Sequence, residues 1–167
     1  MEHLKILNSK EKKQILSILE RNYGFKEKLD YIFLRNNKNR IFLMSKDLKK
    51  IYTEKIRINS MGMYFSEIIG PDIHLSIEGS QLIGNKCNKN IVTLSEKEKN
   101  EWLTGIDIEK KTENSGFVII KYNNEFLGCG KQTNTKILNY IPKNRRVKTF
   151  SNLNCSKSHP LHNGYSK

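Results

Sequence analysis

Gly116-Phe117-Val118-Ile119-Ile120-Lys121-Tyr122, Asn123-Asn124 and Glu125-Phe126-Leu127-Gly128-Cys129-Gly130-Lys131 follow one another as run, turn and run. Two apolar, β-prone runs flank an Asn-Asn pair, which tolerates positive φ and so suits a tight hairpin turn. Gly128 and Gly130 alternate in the second run. Glycine inside a strand marks a bulge or a place where another backbone approaches closely. After a polar turn, Ile137-Leu138-Asn139-Tyr140-Ile141 makes a third apolar run that ends in Pro142-Lys143-Asn144-Arg145-Arg146. The pattern predicts a small β-meander with a strongly positive exit.

That positive exit belongs to a larger asymmetry. The chain of 167 residues carries 30 Lys and Arg against 17 Asp and Glu, a net charge of +13. Glu125 is the last acidic residue; the 42 residues from Phe126 to Lys167 hold eight basic side chains and no acid. A lysine-rich composition alone would not remove Asp and Glu from so long a segment. The clustering therefore points to an anionic partner, most often nucleic acid, rather than to solubility. Lys131, Lys136, Lys143, Arg145, Arg146 and Lys148 are the candidate phosphate contacts, arginine through a planar fork and lysine as a point charge. Tyr140 and Tyr122 either offer stacking faces to unpaired bases or serve as half-buried strand aromatics.

Upstream, residues 8–23 read as an amphipathic helix, with Asn8 and Glu11 spaced as a capping box and Gly24 at its end. Tyr31-Ile32-Phe33-Leu34 and Arg40-Ile41-Phe42-Leu43-Met44 form a hairpin, and Ser45 caps a short helix through Ile51. Ile56-Arg57-Ile58 starts a strand that runs past Gly62 toward Phe65. Gly70-Pro71 breaks the chain, and the segment from His74 to Gly84 fits a strand or a helical turn. Ile91-Val92-Thr93-Leu94 is a short strand. Ser95 to Glu98 is a capping box opening a helix that carries Trp102 and ends at Gly105. Ile106-Asp107-Ile108 is a further short strand. Beyond Phe150 periodicity is lost, and a mobile basic tail is expected over 151–167. Residues 85–89 make the best boundary, dividing the chain into 1–86, 87–150 and that tail.

Few features point to catalysis. The sequence holds no phosphate-binding glycine loop and no nucleophile elbow, and Gly128-Cys129-Gly130 opens no helix. Cys129 reads as a buried thiol with no base beside it. Cys155, His159 and His162 have zinc-ligand chemistry but lack a fourth ligand, so no metal and no cofactor are expected. No apolar run reaches the roughly 20 residues of a membrane span, and no secretory leader opens the chain. A cytoplasmic protein without membrane contact is expected.

The run Leu127-Gly128-Cys129-Gly130-Lys131 followed by Asn139-Tyr140-Ile141-Pro142-Lys143-Asn144-Arg145 resembles a PUA-like domain, the RNA-binding module named for pseudouridine synthases and archaeosine transglycosylases. It is most similar to the version carried by Sun-type RNA cytosine methyltransferases, and Trp102-Leu103-Thr104-Gly105 shares that likeness. Tyr23-Gly24, the basic hairpin from Asn36 to Ser45 and Gly62-Met63-Tyr64-Phe65 resemble the first half of ribosome-assembly factors of the nuclear-import-protein type. Together the likenesses cover roughly Leu7 to Lys148 and include no methyltransferase domain. The resemblance implies an α+β protein: a small N-terminal α/β pre-PUA domain, then a PUA-like β-barrel with short helices. It implies binding of ribosomal or transfer RNA, without catalysis, in ribosome biogenesis or RNA modification. Ribosome-assembly factors or an RNA methyltransferase would be its protein partners. The alternative is a module that serves in trans a methyltransferase lacking its own PUA domain.

Overall fold

The computed structural model describes residues 4–47 and 62–148. Helix α1 (Ser9–Tyr23) begins where expected. Asn8 Oδ1 accepts from Glu11 N–H while the Glu11 carboxylate accepts from Asn8 N–H, both at 3.0 Å, which satisfies two amide donors the helix leaves without partners. Gly24, in the left-handed region, ends it. Ile15, Leu19 and Tyr23, four residues apart, make its buried stripe. Strands β1 (Lys5–Ile6), β2 (Tyr31–Arg35), β3 (Arg40–Ser45), β4 (Met63–Ile69) and β5 (Asp72–Leu75) lie side by side in chain order, each antiparallel to its neighbours. Asp47 N–H donates to Ser45 Oγ at 3.4 Å, the start of the expected helix. The rest of that helix, the strand expected at Ile56-Arg57-Ile58 and the tail over 151–167 lie outside the described residues.

The segment left open in sequence terms is strand and then helix. Ser76 ends β5 and caps α2 (Ile77–Ile83): its Oγ accepts from Gly79 N–H at 2.9 Å and donates to the Tyr64 carbonyl at 2.6 Å. A 3-10 turn (Gly84–Lys86) leads to β6 (Ile91–Thr93) and α3 (Glu96–Thr104), which the Ser95–Glu98 capping box opens. Strands β7 (Gly116–Tyr122), β8 (Glu125–Gln132) and β9 (Ile137–Leu138) complete a second sheet in the order β6-β7-β8-β9, curled into half a barrel. The β6–β7 pair is parallel, and α3 with its following loop supplies the long crossover such a pair requires. Two expectations are corrected. Ile106-Asp107-Ile108 is not a strand: only Ile108 bridges to Ile137, because the Asp107 carboxylate turns to bind the backbone of Asn139. The third run pairs over two residues, after which Asn139 diverts the chain.

Strand β7 explains why the opening stretch is apolar without alternation. Phe117 and Ile119 enter a core built with α1 and the first sheet, around Leu19, Tyr23, Phe65 and Leu75. Val118 and Ile120 enter a second core with Trp102, Ile108 and Ile137. A strand buried on both faces needs apolar residues at successive positions. Phe126 and Cys129 of β8 join the first core, so apolar packing runs across residues 85–89. Polar ties follow the same seam: Asn90 Nδ2 donates to the Asn22 carbonyl at 2.7 Å, and Gly128 N–H to Ser80 Oγ at 3.1 Å. The architecture is α+β.

Candidate nucleic-acid interface

The Asn139 side chain fastens the exit of β9. Asn139 Nδ2 donates to the carbonyls of Trp102 and Ile106 at 2.7 and 3.0 Å, and Oδ1 accepts from Ile141 N–H at 2.9 Å. These bonds fasten the chain to the end of α3. Pro142 then leads into a 3-10 turn (Lys143–Arg145) that presents the basic cluster.

The cluster divides by environment. Lys131 is exposed on β8, its Nζ 5.7 Å from the Phe117 ring. Lys143 is exposed at the first position of the turn. Lys148 is exposed beyond it. Lys136 Nζ binds Asp107 Oδ2 at 2.8 Å; the hydrogen bond and charge of the pair raise the lysine pKa and lower that of the carboxyl. Arg145 Nη1 lies 2.7 Å from Glu78 Oε1. Arg146 is structural in part: its Nε donates to the Ile141 carbonyl at 3.0 Å, and its side chain lies against Gly105. The acid-free sequence after Glu125 therefore gains acidic neighbours in space from earlier elements, Asp107 and Glu78 among them. Both pairs are partly exposed, and ion pairs of this kind contribute only about 0–1 kcal/mol, so a phosphate can compete for these cations.

Tyr140 and Tyr122 are not brought together. Tyr122 sits at the far end of β7, roughly 16 Å along the strand from Phe117 at about 3.3 Å per residue, under Lys99 Nζ at 4.4 Å. Tyr140 is 39% exposed and packs against His74 and Phe117, with ring centroids at 5.0 and 5.9 Å. It stands beside a cleft of about 510 Å³ between the sheets, whose walls include Arg40, Tyr64, Glu67, His74 and Arg145. Arg40 Nε lies 3.5 Å from Glu67 Oε2, and Tyr64 Oη donates to the same oxygen at 3.5 Å. Sequence reasoning missed Tyr64, Glu67 and His74 as site residues. His74 lies in the segment whose secondary structure was open, and no local pattern tells that β5 would set it against Tyr140.

Cys129 is buried, with Tyr23 Oη 3.4 Å from its sulfur, and burial pushes the thiol up to about 11. Little thiolate exists there at neutral pH. Among the described residues no group of three or more His, Cys, Asp or Glu side chains is placed to hold a metal ion, and no helix is long and apolar enough to cross a membrane. Cys155, His159 and His162 lie outside the described residues.

The basic exit falls within residues 89–147, which match the family model described as the methyltransferase RsmF PUA domain. Similar curated proteins include two named Ribosomal RNA small subunit methyltransferase F. The one from Aeromonas salmonicida (strain A449) is 25% identical over 138 residues, covering 82% of this chain and 28% of the relative. The one from Aeromonas hydrophila subsp. hydrophila is 26% identical over 90 residues, covering 53% and 19%. The chain thus spans less than a third of the length of these relatives. With its curled sheet, parallel β6–β7 crossover and Asn139-anchored basic exit, the second half of the chain carries a PUA-like domain resembling that of methyltransferase RsmF.

Proposed function

We propose that this chain binds RNA, ribosomal or transfer RNA, through its PUA-like half. On this reading it has no catalytic activity of its own and acts in the cytoplasm, in ribosome biogenesis or RNA modification. The observation that carries the reading is the exposed basic turn of Lys143 and Arg145, which follows Tyr140 at the exit of a domain that resembles an RNA methyltransferase's PUA module. Residues 1–86 would brace that module and 87–150 would hold the RNA. Lys131 and Lys143 would meet phosphates directly, and Lys148 would add its charge beyond the turn. Lys136 and Arg145 would exchange their carboxylate partners for phosphate, and Arg146 would position the turn. Phosphate contacts supply most of the affinity in such complexes and make it salt-dependent.

The test is equilibrium binding to ribosomal and transfer RNA fragments across a salt series. Affinity is expected to fall steeply with salt. Combined Lys143→Ala and Arg145→Ala is expected to cost on the order of 1–3 kcal/mol and to flatten the salt slope. Unchanged affinity in that variant would remove the site assignment. The similarity to ribosomal RNA methyltransferases favours a second reading, in which the chain serves an RNA methyltransferase, joined to it or bound in trans. Co-purification with such an enzyme after ribonuclease treatment supports it; recovery with RNA alone argues against it.

A further inference from the structure

The cleft between the sheets is not accounted for by phosphate binding. Its volume of about 510 Å³ lies within the ~300–1,000 Å³ of small-ligand pockets and is far too small for a duplex. Its walls alternate rings with hydrogen-bonding groups. Tyr140 and His74 stand on one side, with Phe117 behind them. Tyr64, on the strand next to that of His74, also lines it, its ring 5.7 Å from the Arg40 guanidinium. Two carboxylates, Glu67 and Glu78, also line it, and each is already oriented, Glu67 by Arg40 and Tyr64, Glu78 by Arg145.

We infer that this cleft receives one unpaired nucleotide of the bound RNA, with the base inside against Tyr140 and the phosphates outside on Lys143 and Arg145. The inference deepens the RNA-binding reading and rests on it. Carboxylates in the wall repel a phosphate but accept hydrogen bonds from base N–H groups, so the base is the part that enters. Aromatic rings take the π-face of any base, and RNA recognition relies on splayed, unstacked bases where double-stranded grooves are closed to side chains. Arg145 is placed to serve both: it borders the cleft and belongs to the basic turn. Residues of both sheets would hold the same nucleotide, which gives the first sheet a direct part in recognition.

Fluorescence anisotropy with a labelled single-stranded oligoribonucleotide, and with a fully paired duplex of the same length, tests this. Tyr140→Ala is expected to weaken the single strand about tenfold, near the low end of what one stacked base contributes, and to leave the duplex unchanged. Tyr140→Phe, which keeps the ring, is expected to bind as the parent does. Photocrosslinking of a thiouridine-substituted strand to the unaltered protein is expected to label Tyr64, His74 or Tyr140, a readout that depends on no variant folding. Equal loss for both RNAs, no loss for either, or crosslinks confined to Lys131 and Lys143 would overturn the base pocket while RNA binding stands. Displacement of the strand by micromolar guanosine monophosphate would also overturn it, by assigning the cleft to free nucleotide. Failure of the unaltered protein to bind either RNA at low salt would instead remove the RNA-binding reading itself, and the pocket with it.

Discussion

Two hydrogen bonds of the Asn139 side chain join β9 to the end of α3, and a third, from Ile141 N–H, sets the course of the chain toward the basic turn. Each bond of this kind contributes about 1 kcal/mol net. Asn139→Ala is therefore expected to destabilise the fold by about 2–3 kcal/mol in urea titration, and to weaken RNA binding by releasing the turn. Asn139→Asp keeps an acceptor for Ile141 N–H but loses both amide donors, so it should recover only a small part of the loss. A stability equal to the parent's in the alanine variant would show that the exit is held elsewhere. At this scale the sequence was legible where the chemistry is local: Asn8 with Glu11 and Ser95 with Glu98 are capping pairs because the partners lie three residues apart. Asn139 was visible only as part of a motif, since the carbonyls its amide binds lie more than 30 residues away.

Among elements, β8 carries two separate constraints at its glycines. Two of its residues, Leu127 and Gly128, oppose Ile120, and Gly128 takes φ +107 in that bulge. Gly130 serves a different end. A Cβ there would lie 2.7 Å from the Leu138 carbonyl oxygen and 2.8 Å from Trp102 Cη2. The indole is fully buried and its Nε1 donates to the Leu127 carbonyl at 3.0 Å, so it has no room to retreat. Gly130→Ala is expected to cost about 1–3 kcal/mol by overpacking, and to broaden the indole environment in near-ultraviolet circular dichroism. An unaltered unfolding midpoint would show that β9 yields instead. The alternating glycines in the sequence foretold both a bulge and a close approach. Which glycine serves which was set by register, because only Gly130 faces β9 and Trp102.

At the scale of the whole molecule, the two sheets are joined by a shared core and by His74. Its Nε2 donates to the Cys129 carbonyl at 3.3 Å, and its ring lies against Phe117 and Tyr140. Burial lowers its pKa below the ordinary 6.5, although the Cys129 carbonyl and the Glu67 charge act in the other direction. A depressed histidine pKa has a definite consequence for stability. Above 6.5 the ring is neutral in both states. As pH falls through that value the unfolded chain binds a proton that the native ring resists, so stability declines toward the lower native pKa. Urea unfolding is expected to show lower stability at about pH 5.5 than at about pH 7, and His74→Phe should reduce that dependence. The same slope in the variant would place the titration on another group.

The local elements are written in neighbouring residues. The two capped helices, the Asn-Asn and Gly-Pro turns and the sign of charge at the β9 exit all follow from residues within a few positions of one another. Only the tertiary structure decided how those elements meet. It placed β7 between two cores, brought Asp107 and Glu78 to the basic cluster, and set His74 against Tyr140 beside the cleft. These contacts join residues tens of positions apart, and their partners are selected by strand register and sheet packing rather than by any pattern along the chain.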